Sequence, residues 1–184
     1  MASKRTSKSE TALVAFLRGV NVGGINIKMA DLARTFEDFG FTDVKTILAS
    51  GNVRFTTTDP NGPALKRRIE AALTDRFGYE AWVILLDLPS VRRVIEGYPF
   101  DTDEDVKQPW AMLLAEPGVM EDLLAGATDL DPDVERVQPG EGVLYWEVTR
   151  GQTTKSVFAK HSAKARFKAV TTTRNLRTLH KLLA

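Results

Sequence analysis

The same order of apolar segments occurs twice in this 184-residue chain, and this repeat limits its fold more than any other feature. In the first half, the apolar runs at 13–17, 44–49, 53–57 and 82–86 have the length and β-branched content of strands. Apolar residues at helical spacing mark two helices between them, at 28–39 and 63–77, and Gly40 and Gly78 end these helices. The order is therefore β-α-β-β-α-β.

The second half has the same order with negligible sequence identity. Its predicted strands are 110–114, 134–137, 143–148 and a segment near 168–172, and its predicted helices are 118–126 and 155–165. Each half contains a hairpin signal, Ser50-Gly-Asn52 in the first and Pro139-Gly-Glu-Gly142 in the second. A β-α-β-β-α-β unit is the ferredoxin-like arrangement. The sequence therefore predicts an α+β fold of two ferredoxin-like units, each an antiparallel sheet with helices packed on one face.

The remaining segments set the expected domain organisation. Residues 1–11 are polar and predict a disordered leader. Residues 12–98 form the first unit with a linking helix at 89–96, and residues 108–184 form the second unit with an added helix at 176–183. How the two sheets pack against each other does not follow from the pattern.

Composition excludes several classes of protein. The absence of cysteine rules out disulfides and thiolate zinc sites, and two histidines, His161 and His180, are too few for a histidine-rich metal site. No apolar run approaches the roughly 20 residues that span a bilayer, and the run at 12–17 is too short for a signal peptide. We therefore expect a cytoplasmic protein with no membrane partner, and the sequence indicates no metal or cofactor.

The charges are segregated along the chain. Residues 101–147 hold 13 acidic and 2 basic side chains, and residues 148–184 hold 9 basic and no acidic ones. Either these two stretches neutralise one another, or the C-terminal stretch forms a basic surface for an anionic ligand.

The loop after the first strand carries the strongest signal of a binding site. Its glycines, including Gly23 and Gly24, stand between a buried strand and a helix start, where backbone N–H groups can meet an anion. Arg18, Asn21 and Lys28 add polar and cationic groups. The alternative is a tight turn that only glycine tolerates, and the spacing matches neither the dinucleotide fingerprint nor the P-loop.

Further candidate ligand-binding residues lie in later segments. Ser50 and Asn52 belong to the first hairpin turn, and the amide of Asn52 reaches a ligand if that turn folds toward the first loop. Arg174 and Lys160 belong to the basic C-terminal stretch, where a solvated surface is the alternative. Asn175 is a candidate ligand residue that also fits the cap of the last helix.

Three stretches together resemble a known family. They are Arg18-Gly-Val-Asn-Val-Gly-Gly24 with Ile27-Lys-Met-Ala-Asp-Leu32, then Ala49-Ser-Gly-Asn-Val53, and then Thr172-Thr-Arg-Asn175 with Lys181-Leu. In this order they resemble a bacterial family of uncharacterised proteins, domain of unknown function 1697, over residues 12–184. The resemblance implies a fold of paired ferredoxin-like units and no established activity.

Three functions from different classes remain open. The first is binding of a phosphate-bearing ligand, a nucleotide or nucleic acid, through the glycine loop and the basic C-terminal segment. The second is an acylphosphatase-like hydrolase, by analogy of fold, in which Arg18 holds the phosphate and Asn52 orients a water. The third is a structural or interaction protein that self-associates into a homo-oligomer.

Two structural expectations follow from these candidates. Gly51 is expected to have a positive φ in the hairpin turn. Arg18 and Arg174 are expected to line one shared cleft, on one face of the molecule and within reach of one ligand, because grooves between similar halves are common ligand sites.

Overall fold

The computed structural model describes residues 9–20, 25–59 and 61–184. The first half contains β1 (Thr11–Arg18), α1 (Met29–Asp38), β2 (Thr42–Thr46), β3 (Asn52–Thr57), α2 (Gly62–Phe77) and β4 (Trp82–Asp87), followed by α3 (Leu88–Glu96). The second half contains β5 (Lys107–Leu114), α4 (Val119–Leu124), β6 (Glu135–Gly140), β7 (Val143–Thr149), α5 (Val157–Ser162) and β8 (Thr171–Asn175), followed by α6 (Leu176–Leu183). A 3-10 turn, Ala165–Phe167, precedes β8.

The strands form two four-stranded sheets of identical topology, with strand orders β2-β3-β1-β4 and β6-β7-β5-β8. Every pairing is antiparallel, and the first strand of each half lies between the third and fourth. This is the strand order of a ferredoxin-like unit, so the predicted duplicated α+β fold is confirmed.

Alternation along the central strands divides the core into three layers. Ala15 and Leu17 of β1 face α1 and α2, whereas Val14 and Phe16 face the opposite way. That opposite face packs with α3, α6 and the inner face of the second sheet, which includes Ala111. The outer face of the second sheet packs with α4 and α5. The linking and C-terminal helices therefore lie between the sheets.

Several predicted boundaries are wrong. The strand expected at 44–49 ends at Thr46, because Leu48 adopts a left-handed φ of 59° within the hairpin turn. Pro139 and Gly140 belong to β6 rather than to the turn, and Gly142, at φ 69°, lies in the turn. The helix expected at 155–165 covers only Val157–Ser162, and the strand expected near 168–172 is β8, which begins at Thr171.

Some of the segregated charges pair with one another in the folded chain. Arg177 forms an ion pair with Glu104, and the Arg150 Nε donates to the Glu104 carbonyl oxygen at 2.8 Å. Arg166 lies 3.8 Å from Asp122. Part of the charge of the C-terminal stretch is therefore paired with acidic side chains at the surface.

Candidate functional site

Arg18 is the last residue of β1 and projects toward the second sheet. Its Nη1 donates to the carbonyl oxygen of Thr171 at 2.6 Å and lies 3.2 Å from the Thr171 hydroxyl. Among the described residues, its Nε and Nη2 have no hydrogen-bond partner. Arg18 is half-buried, so it combines an anchored nitrogen with N–H groups that remain available to a ligand.

Arg174 lies in β8 and is almost completely buried, with 7% of its surface exposed. Its Nη2 donates to the carbonyl oxygens of Leu17 at 2.6 Å and Ser50 at 3.0 Å. Its Nη1 donates within β8, to the Thr172 hydroxyl at 2.7 Å and to the Thr173 carbonyl at 2.8 Å. Within the described part of the chain, every acceptor is a neutral oxygen, so this guanidinium joins the two halves there without a carboxylate partner.

Asn52 completes this contact from the first half. Its side-chain oxygen accepts from the Arg174 Nε at 2.5 Å, and its amide nitrogen donates to the Ile47 carbonyl at 2.7 Å and the Ser50 hydroxyl at 3.0 Å. The residue is 0% exposed. Because both amide hydrogens are used, Asn52 closes the hairpin and holds Arg174, and it has no N–H left to orient a water. The arrangement expected of an acylphosphatase is therefore not formed.

The hairpin turn folds against the end of β1. Gly51 has the predicted positive φ, at 76°, and its carbonyl accepts from the Leu17 backbone N–H at 2.8 Å. A Cβ built on Gly51 would stand 3.0 Å from the Leu17 Cβ and 3.1 Å from a methyl group of Val20. Glycine is required here both for its backbone angle and for the close approach.

A cavity of about 570 Å³ opens where these elements meet. Arg18 and Arg174 both line it, together with the exposed Lys168 and the hydroxyl-bearing Thr172 and Thr173. Most of the remaining lining is apolar or aromatic and contains Leu17, Val20, Ile25, Tyr79 and Trp82. The structure thus brings the two arginines to one cavity, and we call the lining formed by Arg18, Arg174 and Lys168 the cationic wall.

The cationic wall lacks a matching counter-charge. Glu80 also lines the cavity, but it is exposed and forms no ion pair with either arginine. Burial lowers the pKa of Arg174 to about 10, and the nearby positive charge of Arg18 adds to this effect. Burial also lowers the pKa of Arg18. Both shifts follow chiefly from burial, which disfavours the charged form of a guanidinium.

The other predicted site residues divide into three groups. Lys28 and Lys160 are exposed and are not among the lining residues of this cavity. Asn175 is the N-cap of α6, where its side-chain oxygen accepts from the Arg177 backbone N–H at 3.0 Å, and Ser50 contributes its carbonyl to Arg174. Asn21, Gly23 and Gly24 lie outside the described residues, as does most of the predicted leader.

Sequence reasoning missed the aromatic wall. Tyr79 precedes the strand predicted at 82–86 and Trp82 is its first residue. Neither was predicted to bind a ligand, although Trp82 pairs directly with Arg18 across β1 and β4. The signal was the ferredoxin-like topology itself, which places the end of the first strand beside the start of the fourth. Lys168 was not among the predicted site residues; it directly follows the 3-10 turn that precedes β8 and lines the cavity.

The described residues contain neither a metal-binding cluster nor a membrane-spanning helix. Residues 9–20, 25–59 and 61–184 contain no group of three or more His, Cys, Asp or Glu side chains able to hold a metal ion. In the same residues, no helix has the length and apolar character needed to cross a bilayer.

Comparisons with known proteins agree with the fold. The model of a family described as "Protein of unknown function (DUF1697)" matches residues 11–145. The solved structure of the conserved bacterial protein SP0830 from Streptococcus pneumoniae is similar at a TM-score of 0.77 and 23% identity, covering 95% of this chain and 97% of that chain. At this identity the likeness concerns the fold alone.

A second solved structure, an unknown protein from Galdieria sulphuraria, has a TM-score of 0.30 and 11% identity, covering 91% of this chain and 98% of that chain. Its similarity is too low to carry an argument. No protein with a curated description matches the chain.

Proposed function

This chain belongs to the DUF1697 family of proteins of unknown function, and we propose that it binds a phosphate-bearing small molecule in the cavity between Arg18 and Arg174. The observation that carries the proposal is a pair of neighbouring guanidinium groups, half-buried and buried, with no carboxylate paired to either among the described residues. Buried charges in proteins are normally paired. A bound anion would supply the missing charge.

The two arginines would contribute to binding in different ways. All the guanidinium nitrogens of Arg174 donate to protein oxygens, so Arg174 would attract a ligand through its positive charge and not through hydrogen bonds. Arg18 retains Nε and Nη2 for direct contact, since only its Nη1 is engaged by described residues. A guanidinium edge of this kind can bind two oxygens of a phosphate at once. Lys168 adds a third positive charge to the same wall.

The size and shape of the site favour a small ligand over a nucleic-acid polymer. A volume of about 570 Å³ lies within the range of about 300–1,000 Å³ that is usual for small-molecule pockets. Ferredoxin-like proteins that bind RNA stack bases on an open sheet face. Here helices or the inter-sheet core pack on both faces of each sheet, so no open sheet face is available for that mode.

Isothermal titration with inorganic phosphate and pyrophosphate at low ionic strength tests the proposal. We expect Arg18→Gln to weaken binding by about ten-fold or more, because a charge-assisted contact is lost. Arg150→Gln is the matched control, since Arg150 belongs to the same charge class but contacts Glu104 instead of the cavity.

The salt dependence gives a second criterion. Binding should weaken as ionic strength rises, because screening reduces the attraction of an accessible cationic site for an anion. The proposal fails if the wild-type chain binds neither anion. It also fails if Arg18→Gln binds phosphate and pyrophosphate as tightly as the wild type and the Arg150→Gln control do.

A further inference from the structure

One buried polar group at the cavity has no partner within the described part of the chain. The hydroxyl of Tyr79 forms no hydrogen bond, although the residue is only 9% exposed. Tyr79 follows Gly78, whose left-handed φ of 66° ends α2 and turns the chain toward β4. Burial raises the pKa of Tyr79 to about 12, so the phenol stays protonated at neutral pH and remains a hydrogen-bond donor.

An aromatic ring stands beside the cationic wall of the same cavity. Trp82 is half-buried and lies directly opposite Arg18 in the β1–β4 pairing, so the two side chains leave the sheet on the same face. Val20, Ile25 and Tyr79 also line this cavity. The lining of the cavity therefore combines a cationic group and an aromatic ring with a residue, Tyr79, whose hydroxyl is a covered hydrogen-bond donor.

These three features match the three parts of one class of ligand. A nucleoside monophosphate has an anionic phosphate, a flat base that stacks on aromatic rings, and ring nitrogens or carbonyl oxygens that accept hydrogen bonds. Inorganic phosphate uses only the first feature, and an aromatic phosphate without ring heteroatoms uses the first two.

We propose that the cavity binds a nucleoside 5′-monophosphate, with its phosphate on Arg18, its base against Trp82, and a base acceptor bonded to the Tyr79 hydroxyl. This inference rests on the proposed function and names its ligand class. Because the hydroxyl oxygen is covered in the structure, the base reaches it only when the Tyr79 ring or its neighbours shift.

The role of Tyr79 has a consequence that a merely structural tyrosine would not show. A buried hydroxyl without a partner destabilises the folded chain, so Tyr79→Phe should raise the melting temperature of the free protein. The same substitution should weaken nucleotide binding, because it removes the donor that the base needs. Stability and affinity should thus move in opposite directions.

Titration calorimetry with AMP, UMP, phenyl phosphate and inorganic phosphate tests this assignment. We expect AMP or UMP to bind the wild type at least about ten-fold more tightly than inorganic phosphate, through stacking and the Tyr79 bond. Tyr79→Phe should weaken nucleotide binding about 3- to 10-fold and leave phenyl phosphate unchanged. Trp82→Leu should weaken nucleotides and phenyl phosphate alike, by about five-fold or more.

Tyr98→Phe is the matched control. The Tyr98 hydroxyl is 2.8 Å from the Thr102 hydroxyl and is not among the groups lining this cavity, so its removal should lower stability and leave affinity unchanged. If nucleotides bind no more tightly than inorganic phosphate, or if Tyr79→Phe leaves their affinity unchanged, the nucleotide assignment is overturned while the phosphate site stands. If no phosphate compound binds, both proposals fail.

Discussion

Glu147 and Arg174 are two buried charges in the second sheet, on β7 and β8, which lie on either side of β5. They differ in whether a charge of opposite sign is paired with them. Glu147 is 1% exposed and accepts from Arg136 Nη2 at 2.6 Å and from Thr102 Oγ1 at 2.5 Å, with Lys107 at 3.6 Å. Arg174 is 7% exposed and, among the residues that the structure describes, donates only to neutral oxygens.

The difference is that Glu147 has cationic partners, whereas Arg174 has no anionic partner among the described residues. Glu147 brings a negative charge into the core and finds cations there, so the cluster needs nothing from outside the chain. Arg174 lies beside a second cation, Arg18, and both line an accessible cavity. A positive charge left unbalanced at a cavity wall attracts an anion, whereas a balanced one serves only the fold.

The largest expected effect comes from removing the unpaired charge. Arg174→Met leaves the carbonyls of Leu17 and Ser50 and the Asn52 side-chain oxygen without their donor in a buried site. We expect the free energy of unfolding to fall by about 3 kcal/mol or more. At about 2–4 °C per kcal/mol for a chain of this size, thermal melting followed by circular dichroism will resolve the change.

Arg177→Met is the control for that variant, because Arg177 lies three residues later and its ion pair with Glu104 is at the surface. Its loss should change stability by less than about 1 kcal/mol. Equal effects of the two substitutions would mean that Arg174 does not join the halves.

Removing the paired charge should have the next largest effect. Burial of Glu147 opposes its ionisation, but hydrogen bonds from Thr102 and Arg136 and the charges of Arg136 and Lys107 outweigh it and hold its pKa below the ordinary value of 4.5. Glu147→Gln should therefore reduce the free energy of unfolding by about 2 kcal/mol at neutral pH, where these hydrogen bonds to a charged group are fully formed.

The pH dependence of this loss has a defined sign. Because the pKa of Glu147 is lower in the folded chain, its stabilisation is present above pH 4.5 and is lost as the pH falls through the lowered folded value. The difference between wild type and Glu147→Gln should thus be constant near neutrality and shrink below pH 4.5, as followed by urea denaturation. Glu141→Gln, at an exposed position, is the control at neutral pH, where it should leave the free energy of unfolding nearly unchanged. For Glu147, a difference from wild type that grows in acid would contradict the pairing.

The hairpin turn that receives Arg174 gives a smaller effect. Gly51→Ala combines a left-handed backbone angle with a close approach to Leu17 and Val20, and we expect a loss of about 1–2 kcal/mol in unfolding free energy. Gly142→Ala separates the two causes, because Gly142 has a similar φ of 69° but nothing within 4 Å of its added Cβ. If both variants melt at the same temperature, the close approach contributes nothing.

Arg18→Gln should have the smallest effect on stability. Arg18 is half-buried and is held through one nitrogen near Thr171, so its loss should lower the unfolding free energy by about 1 kcal/mol. A thermal melt in phosphate-free buffer measures this value. A loss as large as that of Arg174→Met would make Arg18 a structural residue and would remove the contrast between the two arginines.

The sequence was sufficient for the fold because its signals are local. Strand and helix periodicity predicted the order of β1 to β8, and the Gly51 turn was recognised from its own residues. The wrong strand boundary at Pro139 has a local cause. Proline is typical of turns, but Pro139 lies on the edge strand β6, where a missing N–H is tolerated.

The site was predictable only in part, because its geometry depends on how the two halves pack. That Arg18 and Arg174 share a cavity could be anticipated from a groove between similar halves. That Arg174 is fully hydrogen-bonded, and that Asn52 is enclosed with it, depends on a contact between residues 122 positions apart. Periodicity carries no information about such a contact.

Side-chain NMR of the arginine Nε–H groups in the intact chain, recorded while phosphate or AMP is added, tests the central claim most directly. The account predicts that the Arg18 Nε–H signal shifts with ligand, whereas the Arg174 Nε–H, already bonded to Asn52, exchanges slowly with solvent and moves little. A ligand-dependent shift of Arg174 with an unchanged Arg18, or no shift of either, would contradict the assignment of Arg174 to the fold and Arg18 to the ligand.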